Sequence, residues 1–399
     1  MSNVRLHFLD DLRSWPKCGR LNIEQQFVVN LVLISVNVEF PELHVHLEGT
    51  LEPDLYVKLA LKHAASSSAA HSDCDLASSD GPESKRAPAA EESQSIDPIS
   101  ESEMSSKYRS LSNLRDFLEL YYANMRVLQE EDDFFQLTWA YMERANANHI
   151  VHVEPFFDPS AHTSRGVPFA HIIKGISRAL LFAEEKYGMT SCLCMCFVRD
   201  HPDALTEALR VLQLSLPYRH LITSVGLDSD EINHPPADFA LVFAEARKYG
   251  YRCVGHGGHD GPAEPYVSQL ISALGVERID HGVTSVASEE LMAYLKQYQL
   301  PLTVCPVSNV KIGPFESLAK HPLKHMLEDG LCVCVNSDDP AYLGAYVNDV
   351  LCSCVISMGL TRRQLCQLLA NSFRASFLPS SMKQRWLHKL QTITEEKDL

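Results

Sequence analysis

Short apolar runs recur along the chain, at Glu42–Leu47, Ile150–Phe157, Ser191–Val198, Leu221–Leu227, Tyr251–Gly258, Arg278–His281, Pro301–Val307 and Leu331–Asn336. Most are separated by stretches whose apolar residues repeat at helical spacing, such as Phe239–Tyr249 and Glu289–Gln297. Two more helical stripes, Leu114/Phe117/Leu118/Tyr121 and Phe134/Leu137/Tyr141, precede the second run. Strand–helix alternation implies an α/β protein with a parallel sheet. Eight repeats are enough to close a (β/α)8 TIM barrel. A doubly wound open sheet is the alternative, but it usually carries a Gly-rich phosphate turn after its first strand, where this chain is rich in histidine.

Two stretches break the pattern. Residues 1–40 match no barrel element and read as an N-terminal extension to a single domain over 41–399. Residues 64–107 are dominated by Ser, Ala, Glu, Asp and Pro, and bury too little apolar surface to offset their ordering entropy. They read as a disordered low-complexity insertion, and His71, Asp73 and Cys74 within it as solvated loop residues.

Composition narrows the function. The 399 residues are 45% hydrophobic, ample for one large core. A formal net charge of −16 argues against nucleic acid or an anionic membrane as partner, though not against a small neutral ligand. The longest apolar stretch, Phe27–Phe40, is interrupted by Asn30 and Asn37; it is too short to span a bilayer and too far from Met1 for a signal peptide. Twelve cysteines are scattered without disulfide-scaffold spacing. Cys192, Cys194 and Cys196 alternate, as do Cys332 and Cys334, which suits small apolar strand residues better than a zinc knuckle. Reduced thiols fit the cytoplasm, with the nucleus also open.

The unusual polar residues fall at strand ends, where barrel enzymes keep their chemistry. The first strand ends in His44-Val-His46, whose period-two spacing puts both imidazoles on one face. The fifth ends at His256, the sixth at His281, and the eighth in Ser337-Asp338-Asp339-Pro340. Three histidines and one carboxylate from strands one, five and eight are an ordinary zinc-ligand set with room left for a water. Zinc would generate a nucleophile from that water, and His281 would orient or deprotonate it.

These residues stand in runs that resemble the adenosine deaminase superfamily, and within it the adenine deaminase branch. The runs are Pro41-Glu-Leu-His-Val-His-Leu-Glu-Gly-Thr-Leu-Glu-Pro53, Glu154-Pro-Phe-Phe-Asp-Pro159 with His162-Thr and Arg165-Gly-Val, Gly226-Leu-Asp-Ser229, Arg278-Ile-Asp-His-Gly282, Leu302 to Lys311, His321-Pro-Leu and Val335-Asn-Ser-Asp-Asp-Pro-Ala-Tyr342. Adenosine deaminases usually have Gly where Asp280 stands. The resemblance implies that His44, His46, His256 and Asp338 bind one zinc ion, that Asp339 hydrogen-bonds a purine ring nitrogen, and that His281 serves the attacking water. The implied reaction is hydrolysis of adenine to hypoxanthine and ammonia, a step of purine salvage, with adenosine as the alternative substrate. The partner is a small purine, and the oligomeric state is left open. No role follows for Glu154 or Asp158.

One position departs from the family. There the third metal histidine is followed by small-Gly-Glu, and the Glu donates a proton to the ring. Here the run is His256-Gly-Gly-His259-Asp260-Gly-Pro262. Either His259 replaces the acid, or Asp260, expected to point away from it at a strand end, swings in, or the chain is a non-catalytic relative.

Overall fold

The computed structural model describes residues 38–74 and 99–395. Its strands are β1 (Phe40–Glu42), β2 (Ile150–Val153), β3 (Phe156–Phe157), β4 (Thr190–Ser191), β5 (Cys194–Val198), β6 (Ser224–Asp228), β7 (Arg252–Gly257), β8 (Arg278–His281), β9 (Leu302–Val304) and β10 (Val333–Val335). They fall at the eight expected positions, except that the first ends early: β1 stops at Glu42, and Val45 and His46 beyond it make only isolated bridges. The second position is shared by β2 and β3, because Pro155 between them has no N–H to donate to a ladder. The third is shared by β4 and β5. Cys192 and Cys194 donate across this break to the carbonyls of Val153 and Pro155, both at 2.9 Å.

All pairings are parallel, running β1-β2-β4 and β3-β5-β6-β7-β8-β9-β10. The ends meet beyond β1, where Val45 bridges Asp338 and His46 bridges Phe156. His46 N–H donates to the Asp338 carbonyl at 2.9 Å, and Asp338 N–H to that of His44 at 3.1 Å. The sheet is therefore a closed barrel rather than the doubly wound alternative. Helices cover it with their apolar stripes. In Phe169–Tyr187 these are Ile172, Ile173, Ile176, Leu180 and Ala183, and Gly188 at φ +68° ends the helix. Gly175 on that helix sits so close to its neighbour Glu131–Ala147 that a Cβ would lie 2.2 Å from the Glu131 carbonyl oxygen.

The expected boundaries shift in two places. The barrel takes up the end of the supposed extension, since Val38 packs on the core and Phe40 opens β1. The supposed disordered insertion is helical over 64–74 and 101–107. One helix runs Pro53–Cys74, and another, Glu101–Ser110, buries Met104 and Tyr108. The Tyr108 hydroxyl donates to the Leu51 carbonyl at 2.9 Å. Composition averaged over 64–107 hid Met104, while Tyr108 lies just past that stretch. Residues 1–37 and 75–98 lie outside the described residues. Among the described residues no helix is long and apolar enough to cross a membrane.

Candidate active site

Four side chains converge at the C-terminal mouth of the barrel. The period-two prediction holds for His44 and His46, both buried and both turned inward, with Val45 between them in the core. The Nε2 atom of His256 lies 3.1 Å from that of His44 and 3.1 Å from that of His46. Asp338 Oδ1 lies 2.9 Å from His44 Nε2 and 3.5 Å from His46 Nε2. Donors about 2.0–2.1 Å from a tetrahedral ion stand about 3.3 Å apart, so these separations are those of a ligand set.

The hydrogen bonds behind the rings support the same reading. His256 Nδ1 faces two acceptors, the Leu227 carbonyl oxygen at 3.1 Å and Asp280 Oδ2 at 3.7 Å, so it carries the ring proton. The Thr303 hydroxyl donates to Asp280 Oδ1 at 2.7 Å and so accepts from His44 Nδ1 at 3.0 Å. Both rings thus turn Nε2 lone pairs toward each other with no proton between them. That contact is repulsive, and a cation between the two nitrogens turns it into coordination. Burial drives His256 well below the usual histidine range and lowers His46 too, which keeps both neutral. Burial alone would raise Asp338, but the rings of His44 and His281 hold its carboxyl well below the ordinary value.

His281 enters from the end of β8 with Nε2 3.8 Å from the second Asp338 oxygen, Oδ2. Its donor atom lies with those of His44, His256 and Asp338, all within 4.8 Å of one another, so His281 stands in that grouping where His46 was expected, while His46 groups with Asp158 and Asp228. Both His281 (φ +67°) and Asp338 (φ +68°) are non-glycine residues in the left-handed region, where strain is tolerated chiefly at functional sites. Asp339 begins the next turn, buried, with Oδ1 unpartnered. Burial and the neighbouring Asp338 hold its carboxyl well above the ordinary range.

His259 is also buried beside this cluster, its ring 4.6 Å from that of His281. Burial alone would lower its pKa, but Asp260, with Glu231 and Asp338 behind it, outweighs burial and raises it. The expectation that Asp260 points away is not met: Asp260 Oδ1 lies 3.6 Å from His259 Nδ1, and Asp260 lines the same pocket. Strand alternation ends at Gly257, and Gly258 at φ +72° turns the chain. The turn is held by a residue that sequence reading passed over. The buried Glu231 carboxylate accepts from the backbone N–H groups of Gly258 (2.9 Å), His259 (2.9 Å) and Gly261 (3.2 Å). Its only sequence signal was its position two residues beyond the Gly226–Ser229 run.

The pocket encloses about 510 Å³ including its open mouth. Leu114, Phe117, Leu118 and Ile312 line its apolar side, and Asp158, Asp228, Asp339, His259 and His281 its polar side. Of the two acids left without a role, Asp158 belongs to this mouth. Glu154 sits deeper, ion-paired with Arg278.

The sequence matches the adenosine deaminase family model over residues 92–393. It is 41% identical to an adenine deaminase of Wolinella succinogenes over 349 residues, 88% of this chain and 96% of that one. It is 43% identical to one of Sphingopyxis alaskensis, covering 87% and 92% of the two chains. The fold is similar to the crystal structure of adenine deaminase from Arthrobacter aurescens, with TM-score 0.78, 38% identity and coverage of 89% of this chain and 99% of that one. An amidohydrolase from Burkholderia ambifaria, solved with bound Zn, shares the fold at TM-score 0.77 and 22% identity, covering 96% of each chain.

Proposed function

We propose that this chain, which belongs to the adenosine deaminase family, hydrolyses adenine to hypoxanthine and ammonia. It is a metal-dependent hydrolytic deaminase. The observation that carries the choice of adenine is the identity of about 40% to adenine deaminases along nearly the whole chain. In this reading His44, His46, His256 and Asp338 hold one zinc ion per chain, on the strength of their donor separations and the inward lone pairs of His44 and His256. Bound zinc would lower the pKa of its water to roughly 7 and so supply a nucleophile at neutral pH.

The remaining steps belong to side chains. His281 orients the attacking water from the end of β8. The unpartnered Oδ1 of Asp339 hydrogen-bonds a purine ring nitrogen. As C6 becomes tetrahedral, charge moves onto the ring, and His259 as imidazolium donates the proton that neutralises it. The apolar side of the pocket packs on the base and keeps bulk water from the ring. The unpaired cysteines of the described residues fit a reducing compartment, and we place the enzyme in the cytoplasm, acting in purine salvage.

The test is ammonia release from adenine and from adenosine by zinc-loaded protein. Adenine is expected to have the higher kcat/KM. Equal or better turnover of adenosine reassigns the substrate. No ammonia from either at full metal content identifies a relative disabled at His259.

A further inference from the structure

Among the motif residues still without a role are Asn309 in the run Leu302–Lys311 and His321 in His321-Pro-Leu. Both are buried, and both stand in a line of hydrogen bonds that ends on His281. The line starts at a group whose polarity is fixed. The backbone N–H of Leu323 donates to His321 Nδ1 at 3.1 Å, so Nδ1 is unprotonated and the neutral ring carries its proton on Nε2. Burial holds His321 down to about 3, so it is neutral at working pH. His321 Nε2–H then donates to Asn309 Oδ1 at 3.2 Å. This orients the amide, because the reversed amide would set N–H against N–H. The Asn309 Nδ2 group therefore faces His281 Nδ1, at 3.3 Å, and donates to it.

With its Nδ1 lone pair engaged, neutral His281 carries its proton on Nε2. An independent contact agrees. Nε2 faces Asp338 Oδ2 at 3.8 Å, and a lone pair turned toward that carboxylate would be repelled where an N–H is attracted. His44 and His256 have the opposite polarity, with protons outward on Nδ1 and lone pairs inward. One relay thus distinguishes a histidine built to donate from its neighbours built to coordinate.

We propose that His321 and Asn309 are positioning residues that hold His281 in its Nε2–H tautomer, so that His281 meets the attacking water as a hydrogen-bond donor and not as its base. The part concerning the water rests on the deaminase reading above; the tautomer does not.

The two parts are tested separately. In full-length, zinc-loaded protein labelled with ¹⁵N-histidine, long-range ¹H–¹⁵N correlation reads which ring nitrogen of His281 is protonated, with the signals assigned by their loss in His281→Gln. The expected result is a protonated Nε2 and an unprotonated Nδ1, with no turnover needed. A protonated Nδ1 overturns the proposal. Asn309→Asp presents an acceptor in place of the donor and is expected to put a proton on Nδ1. It is expected to lower kcat by roughly 10²-fold, the scale of one lost oriented donor, with KM and zinc content within about threefold of wild type. If Asn309→Asp fails to fold, the His321 pair decides. His321→Gln keeps an N–H for Asn309 and is expected to retain the wild-type tautomer, whereas His321→Leu loses it. Equal behaviour of the two, or unchanged kcat and tautomer in Asn309→Asp, refutes the relay. A wild type that leaves adenine untouched refutes the deaminase reading alone.

Discussion

The barrel interior holds two clusters of buried charge at different depths, and they are built on opposite terms. In the deeper one, Glu154 meets Arg278, accepts from His152 Nε2 at 3.0 Å and also takes the N–H of Phe377. Arg278 donates in addition to the Leu43 carbonyl at 3.1 Å. At the mouth, oxygens of Glu48, Asp158, Asp228 and Asp339 are buried without a partner. Two glutamates of equal burial show the result. Burial would raise Glu154, yet the Arg278 guanidinium brings it down to about 2. Glu48 has only neutral partners, His162 and the Asp158 N–H, and burial pushes it up to about 7. The deep cluster pairs both oxygens of Glu154, with Arg278 Nε left without a hydrogen bond, and serves stability. The mouth leaves acceptors open, as a site that awaits a cation and an N–H-rich ligand must.

The largest expected effect is at the mouth. His44→Ala or Asp338→Ala is expected to reduce metal from about one ion per chain to near zero, and activity with it, since each removes a ligand. Elemental analysis of the purified variants checks this. No transition metal in wild-type protein refolded with zinc would refute the ligand set.

Next comes His259. His259→Ala is expected to lower kcat by roughly 10²–10⁴. The imidazolium is the donor, so activity is full below its pKa and falls as pH rises through it. Because that pKa is raised, the fall is expected above the ordinary histidine value of about 6.5. The hydrogen bonds of Glu231 go to backbone N–H groups and so do not depend on the side chain at 259, and His259→Glu is expected to retain or raise activity. A near-wild-type kcat for His259→Ala would transfer the role to Asp260, with Asp260→Asn as the next variant to assay.

The deep cluster gives the third test. Glu154→Gln removes the nearer of the two carboxylates beside buried Arg278, leaving Asp280 Oδ1 at 3.6 Å from its Nε, and is expected to cost up to about 3–5 kcal/mol in urea unfolding. Glu154 is depressed in the folded chain, so its contribution is present above the unfolded value of 4.5 and disappears as pH falls from there toward 2. That contribution is roughly 3 kcal/mol. Asp228→Asn at the mouth makes the smallest change and in the other direction. It removes an unpartnered acid, and chelator-treated protein is expected to be unchanged or more stable by up to about 2 kcal/mol. Losses of similar size from both substitutions would erase the distinction between the two clusters.

The same distinction explains what the sequence disclosed. Strand period and strand ends placed His44, His46, His256, His281, Asp338 and Asp339 in one mouth, because a barrel register converts spacing into direction. Glu231 stayed hidden because it acts on main-chain groups across a turn, and no side-chain pattern records that. Asp260 was misjudged because alternation stops at a positive φ that Gly258 permits but does not announce. Arg278 and Glu154 are 124 positions apart, and their pairing is a property of the closed barrel rather than of either segment.

Barrel closure has a consequence for the order in which the molecule matures. Glu42 accepts from the Ser337 hydroxyl at 2.5 Å and from its N–H at 3.2 Å, across 295 positions of chain. This latch lies directly beside His44 on one strand and Asp338 on the other. A ribosome-bound chain that has not yet released its last strand holds the three candidate histidine ligands, His44, His46 and His256, but not the carboxylate. On the proposed ligand set, metal loading would follow synthesis of the chain as far as Asp338, and a chain cut short before it would have no complete site to load.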